Sequence, residues 1–388
     1  MTPATPRLAL YVHWPFCRAK CPYCDFNSHV ADEIDHARFA AAYRREMEHM
    51  AALHGGDRQL ETIFFGGGTP SLMPPWLIAG IIEDASSIFG LAPGIEITAE
   101  ANPTSSEAAL FSGFRDAGVN RLSLGVQSLR DDGLAFLGRE HSAKEAIQAL
   151  RAARHVFERV SIDLIYARQG QSLDDWHNEL GMALDLGLDH LSLYQLTIEA
   201  GTHFYSRARR GEVLTADDAL AADMYEATGH IMDEAGLPAY EISNHARPGA
   251  ECRHNLVYWQ AEDWIGTGPG AHGRISLGQH RRGLATRRSP IGWLEAVEAN
   301  GHAIETSIDD GPEDAVAERL MMGLRLASGL DLGSLTSRFG DLSGLIDKSA
   351  RDELVAAGLL ADDPKHLRTT EAGRLLLNRI LAELLPAG

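Results

Sequence analysis

The first half of the chain alternates short β-rich runs with stretches of helical periodicity, and this alternation restricts the folds open to it. The predicted strands are Leu8–His13, Thr62–Phe65, Gly94–Ala101, Arg121–Val126, Val160–Tyr166 and His190–Gln195. The predicted helices between them are Ile34–Leu53, Pro74–Phe89, Ser105–Ala117, Ser142–Val156 and Ser172–Leu186. This order indicates βαβ units, and hence an α/β protein with a parallel sheet. Periodicity alone leaves a barrel and an open sheet as alternatives.

The regular alternation ends near residue 198, and the composition changes again near residue 310. Between these points we predict a helix over Ala216–Ala235, a strand around Tyr240–Ser243 and a loop-rich stretch to Arg274. Beyond them we predict helices at Pro312–Ala327, Leu332–Phe339, Ser343–Ala357 and Glu371–Leu385, with a β-like segment at Leu359–Arg368. The chain thus divides into a core over 1–198, an extension over 199–310 and a mostly helical, winged-helix-like domain over 311–388.

The charge of the chain argues against nucleic acid as a partner. The formal net charge is −19, and there is no long basic run. Such a surface repels phosphate backbones, so we interpret the winged-helix-like domain as a packing module. The first residues lack the features of a signal peptide, and no apolar run approaches the roughly 20 residues of a membrane helix. We therefore expect a cytoplasmic protein without a membrane span.

Three of the four cysteines form the pattern C-x₃-C-x₂-C directly after the first predicted strand, at Cys17, Cys21 and Cys24. Three thiolates on one loop can hold three irons of a [4Fe–4S] cubane and leave the fourth iron open to a small molecule. The alternative is a zinc site completed by His13, His29 or Cys252. Structural zinc usually shows paired C-x₂-C or C…H spacing, which is absent here.

Polar or glycine-rich groups lie at or near the carboxyl ends of all six predicted strands, where the chemistry of β/α barrels gathers. In chain order they are Tyr11 and His13, Gly66–Pro70, Glu100 and Asn102, Gln127, Asp163, and Tyr194 and Gln195. Taken singly, the glycine run fits an ordinary tight turn and Glu100 fits an ordinary surface carboxylate. A second glycine pattern, Gly268–Gly273, matches G-x-G-x-x-G, but no strong strand precedes it in the sequence. We therefore reject a dinucleotide site there.

The cysteine spacing, with Tyr23 directly before Cys24, resembles the signature of the radical SAM superfamily. Essentially the whole chain is similar to the oxygen-independent coproporphyrinogen III oxidase family. The matching segments are Tyr11–Ser28, Phe64–Leu72, Glu100–Pro103, Asn120–Ser128, Gly138–His141 and Ser161–Tyr166. The resemblance implies a partial (β/α)6 barrel and a [4Fe–4S] cluster that binds S-adenosylmethionine (SAM). Carried over residue by residue, it implies SAM contacts at Tyr11, Tyr23, Gly67, Gly68, Thr69, Glu100, Gln127, Arg139 and Asp163.

Within this family the chain resembles the heme-chaperone branch more than the oxidase branch. The oxidases carry a further cysteine where this chain has Phe26, and they have a longer segment before the first strand. The chaperone branch has an HNxxYW motif, matched here by His254, Asn255, Tyr258 and Trp259. The resemblance implies that His254 ligates heme iron and that the aromatic residues pack on the macrocycle. The alternative is an ordinary buried polar–aromatic cluster.

The resemblance implies a heme chaperone that delivers heme to hemoproteins and forms a homodimer. Whether the chain is also an enzyme stays open at this point. The main rival is an oxidase in which a SAM-derived radical abstracts hydrogen from a propionate side chain of coproporphyrinogen III, and loss of CO₂ leaves a vinyl group. A third alternative is a structural iron–sulfur protein that binds no SAM, which the polar strand ends disfavour.

Overall fold

One eleven-stranded sheet forms the framework of this computed structural model, which describes residues 7–31, 33–55, 58–277, 279–340, 342 and 345–385. The strands are β1 Leu8–Trp14, β2 Phe16–Cys17, β3 His29–Val30, β4 Leu60–Gly67, β5 Leu91–Ala101, β6 Arg121–Gln127, β7 Arg159–Tyr166, β8 His190–Gln195, β9 Asn244–Ala246, β10 Asp263–Thr267, β11 His272–Leu277, β12 His280–Thr286, β13 Ile304–Asp310, β14 Leu330–Asp331 and β15 His366–Leu367. The helices of the first part are α1 His36–His54, α2 Pro75–Phe89, α3 Ser105–Ala108, α4 Phe111–Asp116, α5 Asp131–Phe136, α6 Ala143–Val156, α7 Leu173–Asp185, α8 His203–Ala208 and α9 Asp218–Glu234, with a 3₁₀ turn at Pro70–Leu72. Those of the second part are α10 Arg253–Trp259, α11 Pro290–Asn300, α12 Pro312–Gly323, α13 Leu332–Phe339, α14 Lys348–Ala356, α15 Glu371–Leu375 and α16 Leu377–Leu384.

The centre of the sheet is parallel, as the alternation of strands and helices predicts. Its order is β13-β12-β11-β10-β1-β4-β5-β6-β7-β8-β9, and the run from β10 to β8 is parallel throughout. Most residues of β1 are buried on both faces, as expected for a strand covered by helices on one side and by the barrel interior on the other. The α/β fold with a parallel partial barrel and a C-terminal helical region is thus confirmed.

Two helices of the barrel, α6 and α7, begin where short polar side chains satisfy their free amides. Ser142 and Glu145 form a reciprocal capping box at the start of α6, and Ser172 and Asp175 do the same for α7. The predicted helix over Ser105–Ala117 is divided into α3 and α4. None of the helices in the described part of the chain combines the length and the hydropathy of a membrane span.

The predictions for residues 240–274 are wrong in two respects. Residues 240–243 form bends, and the strand follows at β9. The expected loop-rich stretch contains α10, β10 and β11. Strand β10 pairs in parallel with β1, so the predicted extension over 199–310 contributes strands to the same sheet as the core. A strand does precede Gly268, but β11 and not a helix follows, so the glycine pattern still lacks the strand–turn–helix context of a dinucleotide site.

The C-terminal residues have a hydrophobic core of their own, which includes Leu320, Leu354 and Leu381. Helix α13 matches its prediction, α12 ends earlier at Gly323, and the predicted last helix is interrupted at Leu376. Helix α14 begins at Lys348, whereas the predicted start, Ser343, lies outside the described residues. The β-like segment forms only the two-residue strand β15, which pairs with β14.

A buried carboxylate, Glu46 on α1, joins this helix to the segments that follow β10 and α11. It accepts hydrogen bonds from the hydroxyl of Thr267 at 3.0 Å, the Gly268 N–H at 2.9 Å and the Ala303 N–H at 3.0 Å. The indole Nε1 of Trp293 donates to it at 2.9 Å. Burial outweighs these donors and raises the pKa of Glu46 to about 7.

This raised pKa predicts a specific pH dependence of stability. Between the ordinary value of 4.5 and about 7, the folded protein holds the Glu46 proton more tightly than the unfolded chain does. The contribution of Glu46 to the free energy of unfolding therefore falls as pH rises through this window, by up to about 1.4 kcal/mol per pH unit. Denaturant unfolding from pH 4.5 to 7 should show that Glu46→Gln loses this slope. Glu48→Gln, on the exposed face of the same helix, is the control and should keep the wild-type slope.

Candidate functional site

A cavity of about 490 Å³ opens at the carboxyl edge of the parallel strands, within the size range of cofactor sites. All three clustered cysteines line it, together with eight of the nine residues predicted to contact SAM. These eight are Tyr23, Gly67, Gly68, Thr69, Glu100, Gln127, Arg139 and Asp163. The structure therefore brings together groups that lie far apart in the sequence.

The cysteines lie on a loop framed by a two-stranded ribbon. Cys17 ends β2, which pairs with β3, so the chain leaves and returns at adjacent points. A turn in which the Cys24 N–H donates to the Cys21 carbonyl brings the second and third cysteines together. All three thiols are partly exposed, whereas Cys252 is buried elsewhere. Burial raises the pKa of the Cys17 thiol and raises that of Cys24 to about 11, so an electropositive ligand is needed to hold them as thiolates at neutral pH.

Asn102 connects two donors that reach the cysteine sulfurs. The Thr69 hydroxyl donates to Cys17 Sγ at 3.4 Å, and Arg139 Nη1 donates to Cys21 Sγ at 3.3 Å. Asn102 Nδ2 donates to the Thr69 oxygen at 3.3 Å, and its Oδ1 accepts from Arg139 Nη2 at 2.6 Å. Hydrogen bonds to sulfur of this kind orient and tune cluster ligands. The buried Nε of Arg139 has no partner among the described residues, so it is free to donate to a bound group.

The glycine run at the end of β4 is required by close packing against the cysteine loop. The Gly68 N–H donates to the Trp14 carbonyl at 2.6 Å, and a Cβ on Gly68 would lie 2.6 Å from the Phe16 carbonyl oxygen. Gly67 has φ +108°, and a Cβ there would lie 2.5 Å from the ring of His13. The run thus forms a tight turn and also lines the cavity, so the two alternatives from the sequence are both realised.

Two carboxyl groups line the cavity at β5 and β7. Burial, and next the nearby charge of Asp163, raise the pKa of Glu100 to about 8, although the Gly67 N–H opposes this shift. Burial also raises the pKa of Asp163, which accepts a hydrogen bond from the Ser123 hydroxyl at 3.2 Å. Carboxyl groups in this setting are suited to hydrogen-bond the hydroxyls of a ligand, and the pair cannot both ionise without repulsion.

The resemblance assigns both Gln127 and Tyr11 to SAM binding, but only Gln127 lines the cavity. Gln127 has φ +69° where the β6–β7 register shifts, and this irregularity places it at the cavity. Tyr11 does not line the cavity. Its hydroxyl hydrogen-bonds His13 Nδ1 at 3.1 Å and its ring stacks on Phe64, and its contact with SAM stays a prediction.

His254 is buried, and both of its ring nitrogens have hydrogen-bond partners. Its side chain is 1% exposed, and its Nδ1 and Nε2 lie 2.7 Å from the hydroxyls of Thr62 and Tyr258. Burial lowers the pKa of His254 to about 3. Its backbone N–H donates to Glu96, which pairs with Thr62 across β4 and β5. Both ring nitrogens of His254 have partners inside the protein, and its role as a heme ligand stays a prediction.

The rest of the HNxxYW motif also has structural partners. Asn255 Nδ2 donates to the Tyr240 hydroxyl at 3.2 Å, and the ring of Tyr258 meets Trp264 edge-on at 4.8 Å. The guanidinium of Arg325 lies 5.8 Å from the Trp259 ring. The motif therefore anchors α10 to the barrel and to Arg325, which follows α12. These contacts fit the alternative of a buried polar–aromatic cluster.

Glu107 is a site residue that the sequence analysis missed. It lines the cavity and accepts from the Asn102 N–H at 2.8 Å and from the Ser71 hydroxyl. The pattern Thr104-x-x-Glu107 at a predicted helix start resembles a capping box, so the sequence suggested a local role only. The hydrogen bonds of Glu107 with Asn102 and Ser71 depend on the tertiary structure.

The close approach at Gly68 predicts the effect of a methyl group there. Gly68→Ala should displace the cysteine loop or the turn and lower the free energy of unfolding by on the order of 1–3 kcal/mol. Gly80→Ala is the matched control, since a Cβ at this position of α2 has nothing within 4 Å and alanine favours a helix. Thermal unfolding of both variants is the measurement, and equal midpoints would contradict the backbone contact.

Comparison with known proteins identifies the relatives of this chain. The Radical SAM superfamily model matches residues 11–183, and the HemN C-terminal domain model matches residues 311–376. Heme chaperone HemW of Escherichia coli is 38% identical over 379 residues, which cover 97% of this chain and 97% of that protein. Radical S-adenosyl methionine domain-containing protein 1, mitochondrial, of Bos taurus is 38% identical over 393 residues, which cover 99% of this chain and 88% of that protein.

A solved structure shares the fold. Coproporphyrinogen III oxidase (HemN) from Escherichia coli has a TM-score of 0.82 and 23% identity, with 97% of this chain and 90% of that chain covered. This likeness concerns the fold alone, whereas the full-length identity to HemW concerns the sequence. The chain therefore belongs to the radical SAM superfamily and, within it, to the family of the heme chaperone HemW.

Proposed function

We propose that this protein is a heme chaperone that carries a [4Fe–4S] cluster and SAM in the cavity at the carboxyl edge of its sheet and delivers heme to hemoproteins. The observation that carries the proposal is the 38% identity to Heme chaperone HemW over 97% of both chains. The acceptor hemoproteins and a homodimeric state belong to the proposal as family expectations.

The donor set fits the cluster. Cys17, Cys21 and Cys24 line one cavity and present three partly exposed thiols. Among the described residues, no three His, Cys, Asp or Glu side chains are placed to hold a single metal ion, and a cubane binds its thiolates through separate irons. A cluster with one open iron supplies, when bound, a Lewis-acid position for SAM and one electron for its cleavage. Arg139 would offset the negative charge of the thiolates.

The other lining groups suit SAM. Gly67, Gly68 and Glu100 line the cavity. The glycines would allow backbone to approach the methionine part of SAM, and Glu100 would accept hydrogen bonds from the ribose hydroxyls. Tyr23 lies between the cysteines and the hydrophobic cluster around Phe204, with ring centroids 6.3 Å apart. These residues would orient SAM and exclude water from the open iron.

The rival function is the oxidative decarboxylation of coproporphyrinogen III. The cavity has the groups for SAM binding in either case, so the site alone does not separate the two functions. Phe26, which stands where the oxidases have a further cysteine, lines the cavity mouth with 56% of its surface exposed. The identity to the chaperone over the full chain favours the chaperone.

The cluster assignment predicts the metal content of a cysteine variant. Anaerobically reconstituted wild type should hold about one cubane per chain, and Cys21→Ala should lose most of its iron and sulfide because two thiolates retain a cubane poorly. Cys252→Ala is the matched control, since this cysteine is buried near Glu96 and lies outside the cavity. Iron and sulfide analysis is the measurement. Full retention in Cys21→Ala would contradict the ligand set.

An activity assay separates chaperone from oxidase. Reduced, cluster-loaded protein with SAM and coproporphyrinogen III should form no protoporphyrinogen. The same preparation loaded with heme should transfer it to an apo-hemoprotein, as followed by the absorbance of the acceptor. Formation of protoporphyrinogen over many turnovers would contradict the chaperone function and support the oxidase function.

A further inference from the structure

A second cavity, of about 220 Å³, lies at the amino edge of the parallel strands, opposite the cofactor cavity. It is formed by the starts of β6, β7 and β8, by the end of α6 and by the segments that join these elements. We call it the amino-edge pocket. The buried side chains of Arg121 and His190 line it, and the exposed side chain of Arg154 lies at its rim. Among the described residues, none lines both cavities.

Arg121 brings a charge into the amino-edge pocket. It is the first residue of β6 and is 3% exposed. Among the described residues, its side chain makes one hydrogen bond, from Nη2 to the Ser161 hydroxyl at 3.0 Å. The carboxylate of Glu96, whose charge acts on Arg121, forms its ion pair with Arg159 instead, at 2.6 Å. A buried guanidinium with one neutral partner is unfavourable, and an anion in the pocket would compensate it.

The interior of the barrel holds Arg121 in place without a ligand. The Ser161 hydroxyl shares a 3.0 Å hydrogen bond with that of Ser123, and Ser123 donates to Asp163 at 3.2 Å. This series of hydrogen bonds fixes one side of the guanidinium. The other donors of Arg121, Nε and Nη1, have no hydrogen-bond partner in the described part of the chain. A guanidinium presents such donors in a planar fork that matches the oxygens of a carboxylate or a phosphate.

The strand register brings His190 to the same place. His190 is the first residue of β8, and Ile162 of β7 pairs with Leu191 of β8. Ser161, which accepts the hydrogen bond from Arg121, is therefore the neighbour of His190 on the adjacent strand. Side chains at matched positions of adjacent parallel strands point to the same face of a sheet, so His190 and Ser161 both face the barrel interior.

His190 has one ring nitrogen without a partner. The residue is 4% exposed, its Nε2 lies 3.0 Å from the Tyr240 hydroxyl, and its buried Nδ1 has no hydrogen-bond partner among the described residues. Asn255 Nδ2 donates to the Tyr240 oxygen at 3.2 Å, which leaves the hydroxyl hydrogen of Tyr240 for His190 Nε2. In this arrangement the imidazole proton lies on Nδ1, which is then a donor for a ligand. Burial, and next the charges of Arg121 and Arg159, lower the pKa of His190 and keep the ring neutral.

The rim of the amino-edge pocket carries charges of both signs. Arg154 Nη1 donates to the Leu186 carbonyl at 2.7 Å and so also satisfies the end of α7. The carboxylate of Asp189 forms an ion pair with Arg247 at 2.8 Å, whereas the exposed carboxylate of Glu158 opposes an anion at the rim. The attraction for an anion therefore lies at the buried end of the pocket, where electrostatic interactions are strongest.

We propose that the amino-edge pocket binds a small oxyanion, a phosphate or a carboxylate, at Arg121 and His190 Nδ1, with Arg154 at the rim. The oxyanion supplies the ion-pair partner that Arg121 lacks and the acceptor that His190 lacks. Water in the pocket would satisfy His190 but would leave the charge of Arg121 without a counter-charge. This site lies outside the proposed function, and it requires neither heme nor SAM.

Thermal unfolding of cluster-loaded protein in phosphate, acetate and chloride at equal ionic strength tests the site. A ligand that binds only the folded protein raises its Tm, so phosphate or acetate should raise the Tm of wild type above the value in chloride. The oxyanion with the larger effect identifies the class of ligand. Calorimetric titration with that oxyanion then gives its Kd.

Three variants locate the bound oxyanion. Arg121→Gln should raise the Kd by at least about tenfold and abolish the Tm shift, because it removes a charged hydrogen-bond donor from a buried site. Arg154→Ala should reduce the shift less, since Arg154 is exposed. Arg151→Ala is the matched control and should keep the full shift, because Arg151 is an exposed arginine of the same helix that does not line the pocket.

Two results would overturn the site. Equal Tm values of wild type in all three salts would mean that the pocket holds water only. A shift that both Arg121→Gln and Arg154→Ala retain in full would mean that the anion binds elsewhere. Circular dichroism shows whether each variant is folded. If Arg121→Gln does not fold, the comparison of Arg154→Ala with Arg151→Ala decides, and a smaller shift in Arg154→Ala alone supports the site.

Discussion

The contact between the turn after β4 and the cysteine loop determines the geometry of the site. The amide of Gly68 donates to the Trp14 carbonyl, and the amide of Thr69 donates to the Phe16 carbonyl at 2.8 Å. Two backbone segments can approach this closely only because glycines occupy the turn. The contact sets Thr69 within reach of Cys17 and, through Asn102, aligns Arg139 with Cys21. The second coordination sphere of the proposed cluster thus depends on a backbone contact.

Much of this site follows from the sequence because parallel strands bring their carboxyl ends to one edge. A residue at the end of each strand is then near the ends of the others, whatever its distance along the chain. This rule predicts the edge of the sheet at which a side chain lies, but it does not predict how deeply that side chain is buried. Tyr11 lies three residues before the end of β1 and its ring stacks on Phe64, so it is not among the residues that line the cavity. Gln127 reaches the cavity through a register shift that no periodicity reveals.

The sequence analysis did not predict β10, because a pattern of apolar residues does not indicate a strand that contains a buried charge. Asp263, at its first position, is 1% exposed and would ordinarily mark a loop. Its carboxylate accepts from Arg58 Nη2 at 2.5 Å and from the Ser276 amide at 3.1 Å, and these partners make its burial possible. The partners lie 205 and 13 residues away in the chain. Compensation between such distant positions is a property of the fold and cannot be read from a local window.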